Sequence, residues 1–326
     1  MIHPRISRRR ALRIIAASGA AALWPRSGRA VAPLARWEWR GTALGAEAKI
    51  VLLHSDEGLI REAFADAQGE IERLENEFSL FRPDSAISRL NRTGRLAHPG
   101  LDMRRLLGEA LRFSAMTDGA FDPTVQPLWD LYADHFTRRS GDADGPSLEA
   151  VAAARLTVGW QRVGIAAAAI ALSPGTQLTL NGIAQGYITD RVADLLRGFG
   201  FDHLLLDLGE ARAIGGPWSV AVRELDGGGR PFLLPLADCA LAVSAPAGTV
   251  FEASGRWHHL FDPATGAPAK SWRAVAVRAP DATTADALST ALAVTPPERA
   301  EKIARVGGAL DAWLMDDAGT IHRFTG

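Results

Sequence analysis

The sequence predicts an α+β fold in which mixed, largely antiparallel sheets pack with helices in a single compact unit. Three observations support this class. Apolar side chains recur every three or four positions over 59–78, which is typical of an amphipathic helix. Several short apolar segments between 203 and 279 are typical of strands. Two helical segments then follow as a block after residue 283, so the order of elements favours α+β over a regular βαβ alternation.

The individual elements follow from periodicity and from the residues that interrupt it. Pro83 ends the first long helical pattern, and Asp84 or Ser85 can cap a short helix after it. Gly119 and two prolines predict irregular backbone over 118–132. The expected helices are 59–78, 85–91, 102–116, 181–197, 284–294 and 297–306. The expected strands are 47–54, 168–172, 177–180, 203–209, 218–225, 239–245, 256–261 and 273–279. An entry segment at 33–40 precedes them, and closing strands run to 324.

The first 32 residues differ in composition from the rest of the chain. A basic block at 7–13 precedes an apolar run at 14–24 and small residues at 30–32, which is the three-part pattern of a cleaved export signal. The apolar run has about half the length that spans a membrane. A Ser-Arg-Arg opening resembles the twin-arginine signal, so we expect a soluble periplasmic protein formed by residues 33–326.

Charge and cysteine content narrow the classes of partner. Residues 1–32 carry seven arginines and no acid, so their removal takes the net charge from −1 to −8. An acidic protein without a basic stripe is not expected to bind nucleic acid. The single cysteine, Cys239, lies in an apolar run and can form no internal disulfide, so we interpret it as a core residue.

The segment 256-RWHHLFDPATGAP-268 contains two adjacent histidines. In a strand, successive side chains point to opposite faces, so His258 and His259 cannot easily share one metal ion. A zinc site would also need further ligands, and none follows at a recognisable spacing. His259 is therefore either a core histidine hydrogen-bonded to backbone or a functional group.

Three other segments could carry chemistry. Asp286 and Thr290 lie four residues apart on a predicted helix for which Thr284 is a plausible N-cap, so they could offer oxygen ligands to Mg²⁺ or simply cap and pack the helix. The 181-NGIAQGYITD-190 junction could bind phosphate at a helix start, although it lacks the known glycine-rich fingerprints. Residues 209–216 are most simply a turn between strands.

The order of these motifs along the chain resembles the ApbE family of FAD:protein FMN transferases, whose fold is T-fold-like. The resemblance covers the chain from about Leu44 to its C-terminus. The motifs that carry it are 78-FSLFRPDSAISRLN-91, 119-GAFDPTVQPL-128, 180-LNGIAQGYITDRVAD-194, 207-DLGEARAIGG-216, 258-HHLFDPATGAP-268 and 283-TTADALSTALAV-294.

The resemblance implies an enzyme that transfers FMN from FAD to a Thr or Ser hydroxyl of a partner flavoprotein and releases AMP. It implies Mg²⁺ as cofactor and FAD as substrate. His259 matches the family's functional histidine beside the phosphates, where it could deprotonate or orient the acceptor hydroxyl. An FAD pyrophosphatase that gives FMN and AMP, or a non-catalytic FAD-binding carrier or chaperone, remains the alternative.

The resemblance also assigns the remaining site residues. As catalytic residues it implies His259 and Asp286. The implied metal ligands are Gly182 and Ser289, each through its carbonyl, with Asp286 and Thr290, and the implied flavin contacts are Leu44, Phe81, Ala120, Phe121, Asp122, Thr179, Gln185, His259 and Leu260.

Two positions depart from the family pattern. The family often has Asp where this chain has Thr179, and usually Lys or Glu where it has Gln185, so a charge near the flavin is lost. That loss could weaken FAD binding or narrow the choice of acceptor. The sequence of the segment 185-QGYITDRVADLL-196 and the export signal resemble those of the NosX branch of the family. This resemblance implies a membrane-associated acceptor similar to NosR and a link to nitrous-oxide reduction.

Overall fold

The computed structural model describes residues 12–13, 34–138, 144–225 and 232–326. The expected export signal lies outside the described residues, apart from Leu12–Arg13, which pair with Ala221 and Val222. No helix among the described residues has the length and apolar character needed to cross a membrane.

The strands are numbered in chain order. They are β1 (Leu12–Arg13), β2 (Ala35–Ala43), β3 (Ala46–His54), β4 (Arg95–Ala97), β5 (Val163–Ile165), β6 (Ala169–Leu172), β7 (Leu204–Asp207), β8 (Ala211–Ile214), β9 (Trp218–Val222), β10 (Phe232–Leu236), β11 (Ala240–Ser244), β12 (Ala274–Ala279), β13 (Asp311–Met315) and β14 (Ile321–Thr325).

The helices are numbered in the same way. They are α1 (Glu57–Phe78), α2 (Ala86–Thr93), α3 (Leu101–Met116), α4 (Gln126–Thr137), α5 (Leu148–Arg155), α6 (Ala184–Gly198), α7 (Ala282–Val294) and α8 (Pro297–Gly307).

An eight-stranded antiparallel sheet organises the molecule, in the order β14-β13-β12-β11-β8-β7-β3-β2. Alternation along each strand divides its apolar side chains between the two faces. Leu204 and Leu206 belong to the core beneath the helices, whereas Leu205 lies in the core shared with β9 and β10. Helices therefore cover one face and a small antiparallel sheet covers the other. This arrangement confirms the α+β class.

The helical layer places α6 and α7 side by side. α7 packs on β11 and β12, and α6 packs on both α7 and α1. The helix that was expected at 284–294 starts slightly earlier, because Asp281 and not Thr284 is its N-cap: the Asp281 side chain accepts a hydrogen bond from the Thr284 amide. Ser85 caps α2, as one of the two expected candidates.

Several local expectations were wrong. Residues 209–216 contain strand β8 rather than only a turn. The entry segment, for which no element was predicted, belongs to strand β2, whose half-exposed face weakens its apolar pattern. The backbone expected to be irregular over 118–132 becomes helical at Gln126, because a proline in the first turn of a helix costs no hydrogen bond. Residues 177–180 form only an isolated bridge, through Gln177.

Candidate functional site

The first part of the site is the helix junction, defined here as residues 180–190 at the start of α6 together with residues 281–290 of α7. A Cβ atom placed on Gly182 would lie 2.8 Å from Thr290 Oγ1. A Cβ on Gly186 would lie 2.2 Å from the Ala282 carbonyl oxygen and 2.9 Å from Asp286 Cβ. The two glycines therefore let α7 approach α6 closely, and the structure brings Gly182, Asp286 and Thr290 together.

Asp286 is a buried carboxyl group of this junction with a raised pKa. Its side chain is 3% exposed, and its Oδ2 accepts a hydrogen bond of 3.0 Å from the Gly186 amide. Burial raises the pKa of Asp286 to about 7, and repulsion from Asp190 adds to the shift, while the Gly186 hydrogen bond opposes it. A positive charge placed nearby would therefore stabilise the ionised form of Asp286.

Glu210, which the sequence did not identify, lies close enough to Asp286 for the two charges to interact. Its side chain is 6% exposed, and its Oε2 has no hydrogen-bond partner among the described residues. Burial raises the pKa of Glu210 well above its ordinary value, and repulsion from Asp286 and Asp207 raises it further. The sequence signal that could have identified Glu210 is its place directly before strand β8, but 209–216 was expected to be a turn and that strand was not predicted.

These groups fit a divalent cation of the Mg²⁺ type. Asp286 and Glu210 form no ion pair with any described residue, and burial raises the pKa of both carboxyl groups, so a bound cation would favour their ionised forms. Mg²⁺ prefers oxygen ligands, and a carboxylate, the Thr290 hydroxyl and backbone carbonyls supply that chemistry. The described residues contain no cluster of three or more His, Cys, Asp or Glu side chains arranged for a metal.

Ser289 connects the helix junction to the sheet. Its fully buried hydroxyl lies 2.8 Å from the Ser244 hydroxyl at the end of β11 and donates to the Asp286 carbonyl oxygen at 3.0 Å. The sequence implied a metal-binding role for the Ser289 carbonyl. The contacts of its side chain hold α7 against β11.

The second part of the site is the histidine loop, defined here as residues 245–269. The strand expected at 256–261 was wrong, since this segment forms only isolated bridges, at His258 with Val250 and at Phe261 with Pro268. The two histidines nevertheless have different partners. His258 is buried, and its Nε2 lies 2.9 Å from the Ala269 carbonyl oxygen while its Nδ1 accepts from the Leu260 amide.

His259 is half-buried and is oriented by backbone. Its Nδ1 lies 3.0 Å from the Thr249 carbonyl oxygen. A carbonyl can only accept a hydrogen bond, so Nδ1 carries the proton and Nε2 is the basic nitrogen of the neutral ring. A Cβ on Gly248 would lie 3.5 Å from His259 Cε1, so the ring also packs against the backbone that follows Ser244.

Aromatic packing, which periodicity could not reveal, shapes the histidine loop. The Tyr132 ring on α4 lies 4.9 Å from the Phe261 ring and 5.6 Å from the Trp257 ring, measured between centroids. Phe251 stacks on Tyr132 and Phe261. Trp257 therefore packs into this cluster, and the chain on either side of it forms isolated bridges rather than a strand.

Besides His259 and Leu260 of the histidine loop, the residues expected to contact flavin form two groups. Leu44 and Phe81 lie near each other, because a Cβ on Gly45 would lie 3.9 Å from the Phe81 ring, and Phe81 is 64% exposed. Leu44 adopts a left-handed backbone conformation with φ of 47°, and its amide donates to Glu75. An exposed aromatic ring beside a fixed turn is suited to stacking on a flat ligand.

The second group lies in the loop after α3 and at the start of α6. Ala120 is half-buried, and Phe121 is buried with its ring 6.4 Å from that of Phe113. The Asp122 carboxylate accepts hydrogen bonds from Thr124 and from the Trp160 amide, so it holds the protein's own backbone.

The two departures from the family pattern lie close to the helix junction. Thr179 donates its amide to the Pro123 carbonyl and accepts from the Asn181 amide through Oγ1. The Gln185 side chain packs on Gly209, where a Cβ would lie 2.3 Å from its Nε2. Leu260, in the histidine loop, is buried. Gln185 thus touches the segment that carries Glu210.

Comparison with known proteins identifies the family. The model of the ApbE family matches residues 44–314. The chain is 30% identical over 273 residues to the FAD:protein FMN transferase of Treponema pallidum (strain Nichols), covering 75% of this chain and 74% of the relative. It is 28% identical over 287 residues to the protein of the same name from Escherichia coli (strain K12), covering 83% and 79%.

Solved structures show the same fold. The flavin transferase ApbE from Vibrio cholerae superposes with a TM-score of 0.77 at 24% identity, over 90% of this chain and 98% of that one. The ApbE protein of Thermotoga maritima gives a TM-score of 0.77 at 28% identity, over 89% and 97%. The family match, the relatives and the shared fold agree over most of the chain, which therefore belongs to the ApbE family.

Proposed function

We propose that this protein is an FAD:protein FMN transferase that depends on Mg²⁺ and forms a phosphoester with a Thr or Ser hydroxyl of a partner flavoprotein. The observation that carries the proposal is the helix junction, where Asp286, Thr290 and Gly182 meet beside buried Glu210, whose Oε2 has no hydrogen-bond partner among the described residues. Family membership supports the choice of substrate, since the curated relatives bear the name of this activity.

In the proposed reaction one bond between oxygen and phosphorus forms and another breaks. The hydroxyl oxygen of the acceptor attacks the phosphorus of the FMN half of FAD, and AMP leaves with the electron pair of the broken bond. Asp286 and Thr290, with carbonyls at Gly182 and Ser289, would hold Mg²⁺. An ion held there would supply positive charge to the pyrophosphate oxygens more strongly than side chains alone could.

His259 would take the proton of the acceptor hydroxyl. Its Nδ1–H donates to the Thr249 carbonyl, so Nε2 is the basic nitrogen of the neutral ring. The same hydrogen bond stabilises the imidazolium that results, and fixes the ring in the orientation needed for a general base. At the other end of FAD's FMN half, exposed Phe81 beside Leu44 would contact the isoalloxazine ring.

The cellular setting is a further proposal. The basic and apolar pattern of residues 1–32 supports export by the twin-arginine route to the periplasm. The amino-acid sequence of α6 supports a membrane-associated acceptor of the NosR kind. N-terminal sequencing of protein isolated from the periplasm is expected to start at residue 33. A full-length chain retained in the cytoplasm would contradict this setting.

One assay tests the activity. The protein covering residues 33–326 is incubated with FAD, Mg²⁺ and a candidate acceptor domain, and covalent flavin is detected by in-gel fluorescence while AMP is quantified. We expect labelled acceptor and an equal amount of AMP, and loss of both in Asp286→Ala. FMN and AMP without label would instead indicate a pyrophosphatase, and intact FAD would indicate a carrier.

A further inference from the structure

Helices α6 and α7 exchange hydrogen bonds at their N-termini. From α7, the Asp286 carboxylate accepts from the Gly186 amide in the first turn of α6, at 3.0 Å. From α6, the Asp190 carboxylate accepts from the Ala282 amide at 2.9 Å and from the Thr283 amide at 2.8 Å, and the Thr283 hydroxyl adds a third bond of 2.6 Å. Each helix therefore supplies an acid to the start of the other.

Asp190 is not needed merely to cap α7. The helix has its own N-cap in Asp281, which accepts hydrogen bonds from the amide and the hydroxyl of Thr284. Asp190 takes the two preceding amides, which the N-cap leaves open. What Asp190 adds is a connection between two different helices.

Arg212 ties the same point to the sheet. Its Nε lies 3.7 Å from Asp190 Oδ1, and its Nη1 donates to the carbonyl of Pro280, just before α7. The Arg212 side chain is 17% exposed and that of Asp190 is 20% exposed, so the contact is mostly shielded from water. Arg212 and the positive end of α7 favour the ionised form of Asp190, whereas burial and the neighbouring Asp281 raise its pKa and oppose that form.

The spacing of these contacts restricts both sliding and rotation of α7 against α6. Gly186 and Asp190 are one turn apart on α6, and Ala282 and Asp286 are one turn apart on α7. Two links one turn apart resist both sliding and rotation of one helix against the other. Because Asp286 and Thr290 project from the same helix, a movement of its first turn would displace both groups.

We propose that Asp190 is a positioning residue, which together with Arg212 holds the first turn of α7 so that Asp286 and Thr290 face Gly182 in a geometry that binds a divalent cation. The inference rests on the proposed function, because it concerns the Mg²⁺ site named there. Asp190 itself contacts backbone and Arg212, not the cation. Outer contacts that orient metal ligands are worth about 10- to 100-fold in metal affinity.

The test measures metal binding directly and does not depend on turnover. Mn²⁺ is titrated into flavin-free protein covering residues 33–326, and free Mn²⁺ is quantified by EPR, for wild type and for Asp190→Asn, Asp286→Ala and Asp194→Ala. Asp194 is the matched control, because it lies one turn further along α6 with a side chain that is 64% exposed. Thermal unfolding sets a temperature at which every variant is folded.

We expect Asp190→Asn to bind Mn²⁺ about tenfold more weakly and to need correspondingly more Mg²⁺ for half-maximal FMN transfer, with the rate largely recovered at saturating Mg²⁺. Asp194→Ala should behave as wild type. Unchanged Mn²⁺ affinity in Asp190→Asn, with binding lost in Asp286→Ala, would overturn the positioning role while leaving the proposed function intact. Equal Mn²⁺ binding by wild type and Asp286→Ala would overturn the metal site and this inference with it.

Discussion

The helix junction and the histidine loop hold their functional groups by different physical means. At the junction, glycines bring two helices into backbone contact, and hydrogen bonds to Asp190 and Asp286 fix their register. In the loop, aromatic rings pack beneath an irregular backbone, and hydrogen bonds to the backbone orient the imidazoles. Substitutions that add atoms or change charge should therefore disturb the helix junction most. The histidine loop should instead be destabilised by loss of aromatic packing or by protonation of an imidazole.

The largest effect is expected on chemistry, from His259→Ala. Loss of a positioned general base typically lowers a rate by about 10²- to 10⁴-fold. Because His259 is half-buried and its Nδ1 contacts a backbone carbonyl rather than another side chain, its removal should change the melting temperature little. The rate of FMN transfer to an acceptor at saturating FAD and Mg²⁺ measures the effect.

The control for that prediction is His322→Ala, which removes an imidazole from β14 that contacts Asp316. Its transfer rate should equal that of wild type. Undiminished transfer by His259→Ala would return His259 to the role of a core histidine, which was the alternative that spacing alone left open.

The next effect tests the helix contact through Gly186→Ala. The added methyl group would lie 2.2 Å from the Ala282 carbonyl oxygen, which is backbone and cannot turn aside. Overpacking of this kind costs about 1–3 kcal/mol and occasionally more, and we expect about 3 kcal/mol in denaturant unfolding together with weakened metal activation.

Gly198→Ala is the matched control on the same helix, because nothing lies within 4 Å of a Cβ placed there. Alanine favours a helix over glycine by up to about 1 kcal/mol, so this variant should be neutral or slightly more stable. If the two substitutions had similar effects, the close contact of α6 with α7 would not be a source of stability.

A smaller effect is expected in the pH dependence of the histidine loop. Burial lowers the pKa of His258 below its ordinary value of about 6.5. Its Nδ1 accepts from the Leu260 amide, so protonation would set two N–H groups against each other. The unfolded chain then binds the proton first: the stabilisation is complete above about pH 6.5 and is lost as pH falls towards the folded pKa, by about 1.4 kcal/mol per pH unit.

Denaturant unfolding of wild type and His258→Gln between about pH 5 and 8 measures this term as a difference between the two proteins. The variant should be less stable at pH 8 and should lose less stability on acidification. Parallel curves for the two proteins would show that His258 does not titrate differently on folding.

The same difference explains which parts of the site local sequence patterns could predict. At the junction, helical periodicity placed Asp286 and Thr290 on one face, and that relation is local and survives folding. In the loop, the pattern around Trp257 predicted a strand, but the ring packs on Tyr132, more than a hundred residues away. No local rule contains that contact. Glu210 was missed for a related reason, since its importance comes from proximity to Asp286, which only the folded chain creates.

The smallest expected effect separates packing from hydrogen bonding within the histidine loop. Tyr132 places its hydroxyl 3.4 Å from the Gly266 carbonyl oxygen, while its ring contacts Phe251, Trp257 and Phe261. A bond this long should contribute at the low end of the usual range, about 0.5 kcal/mol, so Tyr132→Phe should unfold almost as wild type does and transfer FMN at an unchanged rate. Tyr132→Leu, which removes the ring, should lower the melting temperature clearly more. If Tyr132→Phe were as damaging as Tyr132→Leu, the loop would depend on the hydroxyl rather than on aromatic packing, and the distinction from the helix junction would no longer hold.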